Sequence, residues 1–197
     1  MIDPTNFTNY DLDDAQLEEY VLFGIVAAGK NAMAAARGLE KVLRTIHDER
    51  GGNCWRPFET ISRFTHAELV DRLKAAGIGC YNLRARGFLA LANAGLDLRT
   101  CTPEALERIP GIKYKTSRLF VLHTRPGARV ACLDVHILKY LRACGYQAPA
   151  VTPQSRRKYL ELEKIFLELA RQKRMSPARL DLKLWREYSG NPRKAAA

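Results

Sequence analysis

Leu106-Glu107-Arg108-Ile109-Pro110-Gly111-Ile112-Lys113-Tyr114-Lys115-Thr116-Ser117 reads as a short helix, a Pro-Gly turn and the start of a second helix. The first turn of that second helix carries amides with no acceptor one turn back and a partial positive charge. A phosphate can sit there without help from any side chain. Lys113, Lys115 and Arg118 add cations at the same end. The segment therefore suits contact with a DNA backbone, although an ordinary helical corner with solvated lysines has the same pattern. Nineteen residues after Lys115 comes Asp134, in Leu133-Asp134-Val135-His136-Ile137-Leu138. Taken alone, an aspartate at a helix start is a cap. The pair says more. An amine at one helix start and an acid at another, separated by one helix and a break, could converge on one cleft. His136 reads as structural.

The charge balance points the same way. Lys plus Arg is 32 against 21 for Asp plus Glu, a formal net charge of +11 over 197 residues, which favours a polyanionic partner, nucleic acid first. At 47% hydrophobic and 27% charged, the chain is an ordinary globular one and not a disordered one. No apolar run is long enough to cross a membrane, and the acidic start MIDPTNFTNYDLDD does not read as a signal peptide. A cytoplasmic location is expected, in a bacterium, an archaeon or a phage-infected cell. Cys54, Cys80, Cys101, Cys132 and Cys144 form no C-x-x-C pair and no tight cluster, so neither zinc nor an iron–sulfur cluster is expected. They read as reduced, mostly buried thiols. No metal and no cofactor is implied.

The elements that must position these residues are helices. Asp13 or Asp14 can cap a helix through Leu17, Tyr20, Val21 and Ile25, and an alanine-rich helix follows near Ala32 to His47. Arg50 to Phe64, with Gly51, Gly52, Asn53 and Pro57, reads as a loop pinned by Trp55, Phe58 and Phe64. Helices are expected near His66–Ala76 and Tyr81–Ala94, stopping at Gly77 and Gly95. Thr102-Pro103-Glu104 opens the short helix before the Pro-Gly turn. Further helices start near Tyr114, at Asp134, at Gln154 and at Ser176-Pro177, the last ending at Ser189-Gly190. That makes about nine helices and no convincing strand. Arg129 to Leu133 is the one β-like run and reads as an extended connector. The end, 191–197, reads as a disordered tail, and there is no internal repeat.

These residues resemble a known family, the helix–hairpin–helix, glycine/proline-rich, aspartate (GPD) superfamily of DNA base-excision glycosylases. Its hallmark is L-P-G-[VI]-G-x-K-[TA] followed by an aspartate in [VL]-D-x-H, matched here by I-P-G-I-K-Y-K-T and L-D-V-H. Upstream, Gly79-Cys80-Tyr81-Asn82-Leu83-Arg84-Ala85 resembles the family's G-x-Y-x-x-K-A, with Arg84 at the lysine position. The stretch Leu180-Asp181-Leu182-Lys183-Leu184-Trp185 is similar to the end of the archaeal-type 8-oxoguanine glycosylases. The resemblance covers about residues 17–190.

The resemblance implies an all-α, two-lobed helical fold. One lobe spans 17–126 and holds the helix–hairpin–helix at about 102–125. The other takes 1–16 and 127–190, with the active cleft between them. It implies Lys115 as a Schiff-base nucleophile and Asp134 as the catalytic aspartate of a DNA glycosylase/AP lyase. The chemistry is coherent. Breaking an N-glycosidic bond builds positive charge on the sugar, which a carboxylate stabilises. The attacking amine must be neutral, which a helix N-terminus and neighbouring cations favour. The base must leave the stack to be reached. Gly111, Ile112, Lys113, Arg118 and Arg84 are then the candidates for DNA-backbone contacts. Lys30, Asn31 and Trp185 are the candidates for the base pocket. The partner is double-stranded DNA with a flipped-out modified base, the enzyme is a monomer, and no cofactor is needed.

Two departures from the pattern open rival readings. Lys113 stands where the family has the second hairpin glycine, a residue that permits close approach and positive φ. Lys30 stands beside Asn31, a candidate base reader, and a lysine there would suit an anionic group on the substrate. Lys30 and Lys113 could hold the diphosphate of 5-hydroxymethyluracil diphosphate in DNA, as in the phage enzymes of thymidine hypermodification, which replace it with an amine or amino acid. A DNA-binding module that has lost catalysis is the third reading. Retention of both Lys115 and Asp134 argues against it.

Overall fold

The computed structural model describes residues 2–50 and 55–188. Ser189-Gly190, the tail 191–197, Gly51 to Asn53 and Cys54 lie outside the described residues. Every regular element among the described residues is helical. The chain divides into two compact units. One is Met1–Pro4 with Asp11–Phe120, and the other is Thr5–Tyr10 with Val121–Ala197. Of the first sixteen residues, only Thr5–Tyr10 join the second unit. The boundary falls between Phe120 and Val121, inside a helix and not at the Pro126-Gly127 break.

The first unit contains α1 (Asp14–Ala27), α2 (Ala32–Arg50), α3 (Pro57–Ile61), α4 (His66–Ala75), α5 (Tyr81–Ala92), α6 (Pro103–Leu106) and the start of α7 (Tyr114–Thr124). Local chemistry sets the helix starts. Asp13 and Gln16 form a capping box at α1, and Thr65 and Glu68 form one at α4. Thr102 accepts the Ala105 amide at α6, with Pro103 opening the helix. Leu22, Ile25, Leu39, Ile46, Leu69, Leu73 and Phe88 fill the core and are essentially inaccessible.

The stretch read as a loop contains a helix, α3. Glu18, 4% exposed on α1, accepts bonds from the Arg56 guanidinium and from the Phe58 amide (2.8 Å), anchoring the turn at Pro57. A five-residue helix is too short to show periodicity. It exists because a carboxylate from another element takes up its orphan amide.

The second unit holds the rest of α7, α8 (Val135–Ala143), α9 (Arg156–Gln172) and α10 (Pro177–Tyr188), with α10 packed on both α8 and α9. Leu138, Leu141, Tyr159, Phe166 and Leu184 form its core. The N-terminal strap Thr5–Tyr10 is stitched in by polar contacts. Thr8 Oγ1 shares a 2.7 Å hydrogen bond with His123 Nδ1, and Asn9 N donates to the His123 carbonyl at 2.9 Å. His123 Nε2 lies 3.2 Å from Asp181 Oδ2, and Arg186 donates to the Thr5 carbonyl at 2.9 Å. The segment 128–134 is neither helix nor strand.

Candidate active site

In the first unit, α6 and α7 are the two helices of the hairpin. Gly111 makes the turn at φ +87°, a conformation that favours glycine. Among the described residues, positive φ outside glycine occurs only at Cys80 and Arg174. Lys113 is therefore not in the conformation that demands glycine, and a side chain fits there. It is exposed, beside the first turn of α7. Lys115 is the second residue of α7 and is half-buried, and among the described residues it has no salt-bridge partner.

The hairpin is clamped from inside. Glu107 accepts from Ser117 Oγ at 3.1 Å and from Arg118 Nη1 at 2.5 Å, and Arg118 Nη2 lies 3.5 Å from Glu104. Arg118 is 2% exposed. It ties α7 to α6 and has no face for a phosphate, which corrects its expected role at the DNA backbone. Ile112 is also corrected. Its side chain is fully buried, and its amide already donates to the Ile109 carbonyl at 3.0 Å. Gly111 and Lys113 remain as backbone candidates, together with the first-turn amides of α7.

Arg84 is corrected for the same physical reason. It is buried on α5, and its guanidinium donates to the carbonyls of Gly79 (2.5 Å), Val26 (2.7 Å) and Ala28 (3.3 Å). Burial pushes the guanidinium below its ordinary pKa. Arg84 joins the end of α1 to the start of α5, and Lys30 lies beside that junction. Lys30 Nζ would lie 3.6 Å from a Cβ built on Gly79. Lys30 and Asn31 are both exposed, but Asn31 Oδ1 accepts the Ala34 amide at 3.0 Å and so caps α2.

Two glycines that position the hairpin were not singled out from the sequence. A Cβ on Gly87 of α5 would overlap the Pro110 carbonyl oxygen, and one on Gly24 of α1 would come within 3.0 Å of the Thr116 methyl. Both sit inside helices, where glycine is unfavourable. An isolated glycine in a helical pattern was the available signal.

In the second unit, Asp134 is the N-cap of α8. Its Oδ1 accepts the amides of His136 and Ile137, both at 2.9 Å. The carboxyl is half-buried at a helix N-terminus, against the partial positive charge of the first-turn amides. His136 enters through its amide, in keeping with a structural role. Trp185 is half-buried on α10. Among the described residues, no group of three or more His, Cys, Asp or Glu could hold a metal ion. None of the four described cysteines is in a disulfide. Cys132 is buried, Cys101 is intermediate, and Cys80 and Cys144 are exposed, so the thiols are less buried than expected.

The fold is that of the helix–hairpin–helix DNA glycosylases, and the sequence matches agree with the motif resemblance to that superfamily. The chain is 38% identical over 80 residues to the 8-oxoguanine DNA glycosylase/AP lyase of Picrophilus torridus, covering 41% of this chain and 37% of that protein. To the protein of the same name from Methanocaldococcus jannaschii it is 29% identical over 128 residues, covering 60% of this chain and 61% of that protein. Both matches span less than two thirds of the curated relatives. The crystal structure of the Methanocaldococcus jannaschii enzyme with a 15mer DNA containing 8-oxoguanine superposes with a TM-score of 0.69 at 24% identity, covering 94% of this chain and 87% of that one. No protein-family model matches.

Proposed function

We propose that this chain is a DNA glycosylase/AP lyase whose substrate is 8-oxoguanine in duplex DNA. The observation that carries the reading is a helix–hairpin–helix bearing Lys115 in the first turn of α7, together with Asp134 capping α8. This arrangement occurs in a fold shared with a glycosylase solved on 8-oxoguanine DNA. The curated relatives carry the same activity in their names. Neither the substitution reading nor the non-catalytic one is needed.

In this reading the α7 N-terminus, Gly111 and Lys113 hold a phosphate, and the damaged nucleotide is flipped out of the stack. Neutral Lys115 Nζ attacks C1′ of the sugar as the bond from C1′ to the base breaks. The base leaves and takes up a proton. Asp134 stabilises the positive charge that develops on the sugar. Loss of a proton from nitrogen with opening of the sugar ring gives the Schiff base, and β-elimination from it cuts the strand. Lys30, Asn31 and Trp185 are the candidates for reading the base. The enzyme acts as a monomer on DNA in the cytoplasm and needs no cofactor.

The test is borohydride trapping on a duplex containing 8-oxoguanine. A covalent protein–DNA adduct is expected, and Lys115→Gln should abolish it. No adduct from the unsubstituted protein across a panel of lesions would refute the lyase.

A further inference from the structure

Residues 128–134 lead into Asp134 without helix or strand, and among the described residues no strand lies beside them. Ala131, Cys132 and Leu133 are buried, so their backbone groups need partners inside the protein. Side chains supply them. The Tyr159 hydroxyl donates to the Ala131 carbonyl at 2.7 Å and accepts the Leu133 amide at 3.0 Å. Glu163 Oε1 accepts the Ala131 amide at 2.8 Å, and Thr152 Oγ1 donates to the Leu133 carbonyl at 2.8 Å. Every backbone donor and acceptor of Ala131 and Leu133 is thus bonded. Tyr159 is inaccessible and Glu163 is 7% exposed, and both project from α9.

Two residues of one helix therefore do for this segment what a neighbouring strand does in a sheet. The segment leads directly into Asp134, whose own amide folds back on the Cys132 carbonyl at 2.7 Å. We propose that Tyr159, assisted by Glu163, is a positioning residue that fixes the carboxylate of Asp134 by clamping the backbone just before it. Where chemistry needs a carboxylate at a set distance from a sugar, a shift of about 1 Å loses rate without losing binding. The inference rests on the glycosylase reading for its kinetic consequence, but the clamp can be read without it.

Tyr159→Phe keeps the ring and removes both hydroxyl bonds. Single-turnover release of 8-oxoguanine should slow at least about tenfold, while affinity for a duplex carrying a non-cleavable 2′-fluoro 8-oxoguanine nucleotide stays within about twofold. Base release within twofold of the parent, or affinity falling in step with rate, overturns the proposal. If Tyr159→Phe does not fold, Glu163 decides. Glu163→Gln retains an acceptor for the Ala131 amide and should stay near parental rate, whereas Glu163→Leu should be slow. Equal rates for these two overturn the proposal. If the parent protein releases no base, the glycosylase reading fails by itself, and amide hydrogen exchange then reads the clamp. The amides of Ala131, Leu133, His136 and Ile137 should exchange faster in Tyr159→Phe, and unchanged protection at all four overturns it.

Discussion

Asp134 caps α8 through Oδ1, and an asparagine there can accept the same two amide bonds. Asp134→Asn should therefore keep the melting temperature nearly unchanged and leave DNA affinity intact, while slowing base release by a factor of about a hundred or more. A fully active variant would remove the carboxylate from the mechanism. Lys113 is exposed beside the α7 N-terminus, so Lys113→Ala should weaken DNA binding on any sequence and reduce the slope of log K against log salt by about 0.9. The places of Lys115 in the first turn of α7 and of Asp134 as the cap of α8 were legible in the sequence, because a Pro-Gly turn and an aspartate before an apolar run mark helix starts. Arg84 and Arg118 were misread because an arginine's role depends on burial, and a single sequence does not show whether a cation faces solvent or three carbonyls.

The helices were legible where a cap, a periodic apolar face and a glycine stop agree, as in α4. The helix α3 was hidden because its stability comes from Glu18, far away in sequence. Two glycine-related points were also hidden, since close approach between elements leaves only a weak trace in the chain. Gly87→Ala forces a methyl against the Pro110 carbonyl and should destabilise the first unit by about 1–3 kcal/mol or displace the hairpin. Thermal melting and DNA titration would together report it, and an unchanged protein by both measures would remove the close contact. Arg84→Lys keeps the charge but cannot reach three carbonyls with one planar fork. It should lower the melting temperature by several degrees, on the order of 1–2 kcal/mol, and leave the salt dependence of DNA binding as it was.

At the scale of the molecule, a net charge of +11 would make the proposed DNA affinity strongly salt-dependent. With about six phosphates neutralised, affinity should fall about a thousandfold between 50 and 200 mM salt. Alkali should act on stability. Burial, with the Cys144 thiol next in importance, holds the Tyr140 phenol up to about 12, and burial also raises Tyr20, with Asp3 and Glu19 adding to it. Each is raised above its unfolded value of 10.0. Their contribution is complete below that pH and is lost as pH rises through the folded values, so stability should decline between about pH 10 and 12. Denaturant unfolding at pH 8, 10 and 11.5 checks this, and equal midpoints would contradict it.

The strap Thr5–Tyr10 belongs to the unit built from Val121 onward, and Thr5 is held by Arg186. During synthesis that unit must wait. Its earliest piece leaves the ribosome first, and its last partner emerges some 180 residues later. A polypeptide cut short before α10 would leave His123 without Asp181 and Thr5 without Arg186, so this half of the protein can close fully only once α10 has been made.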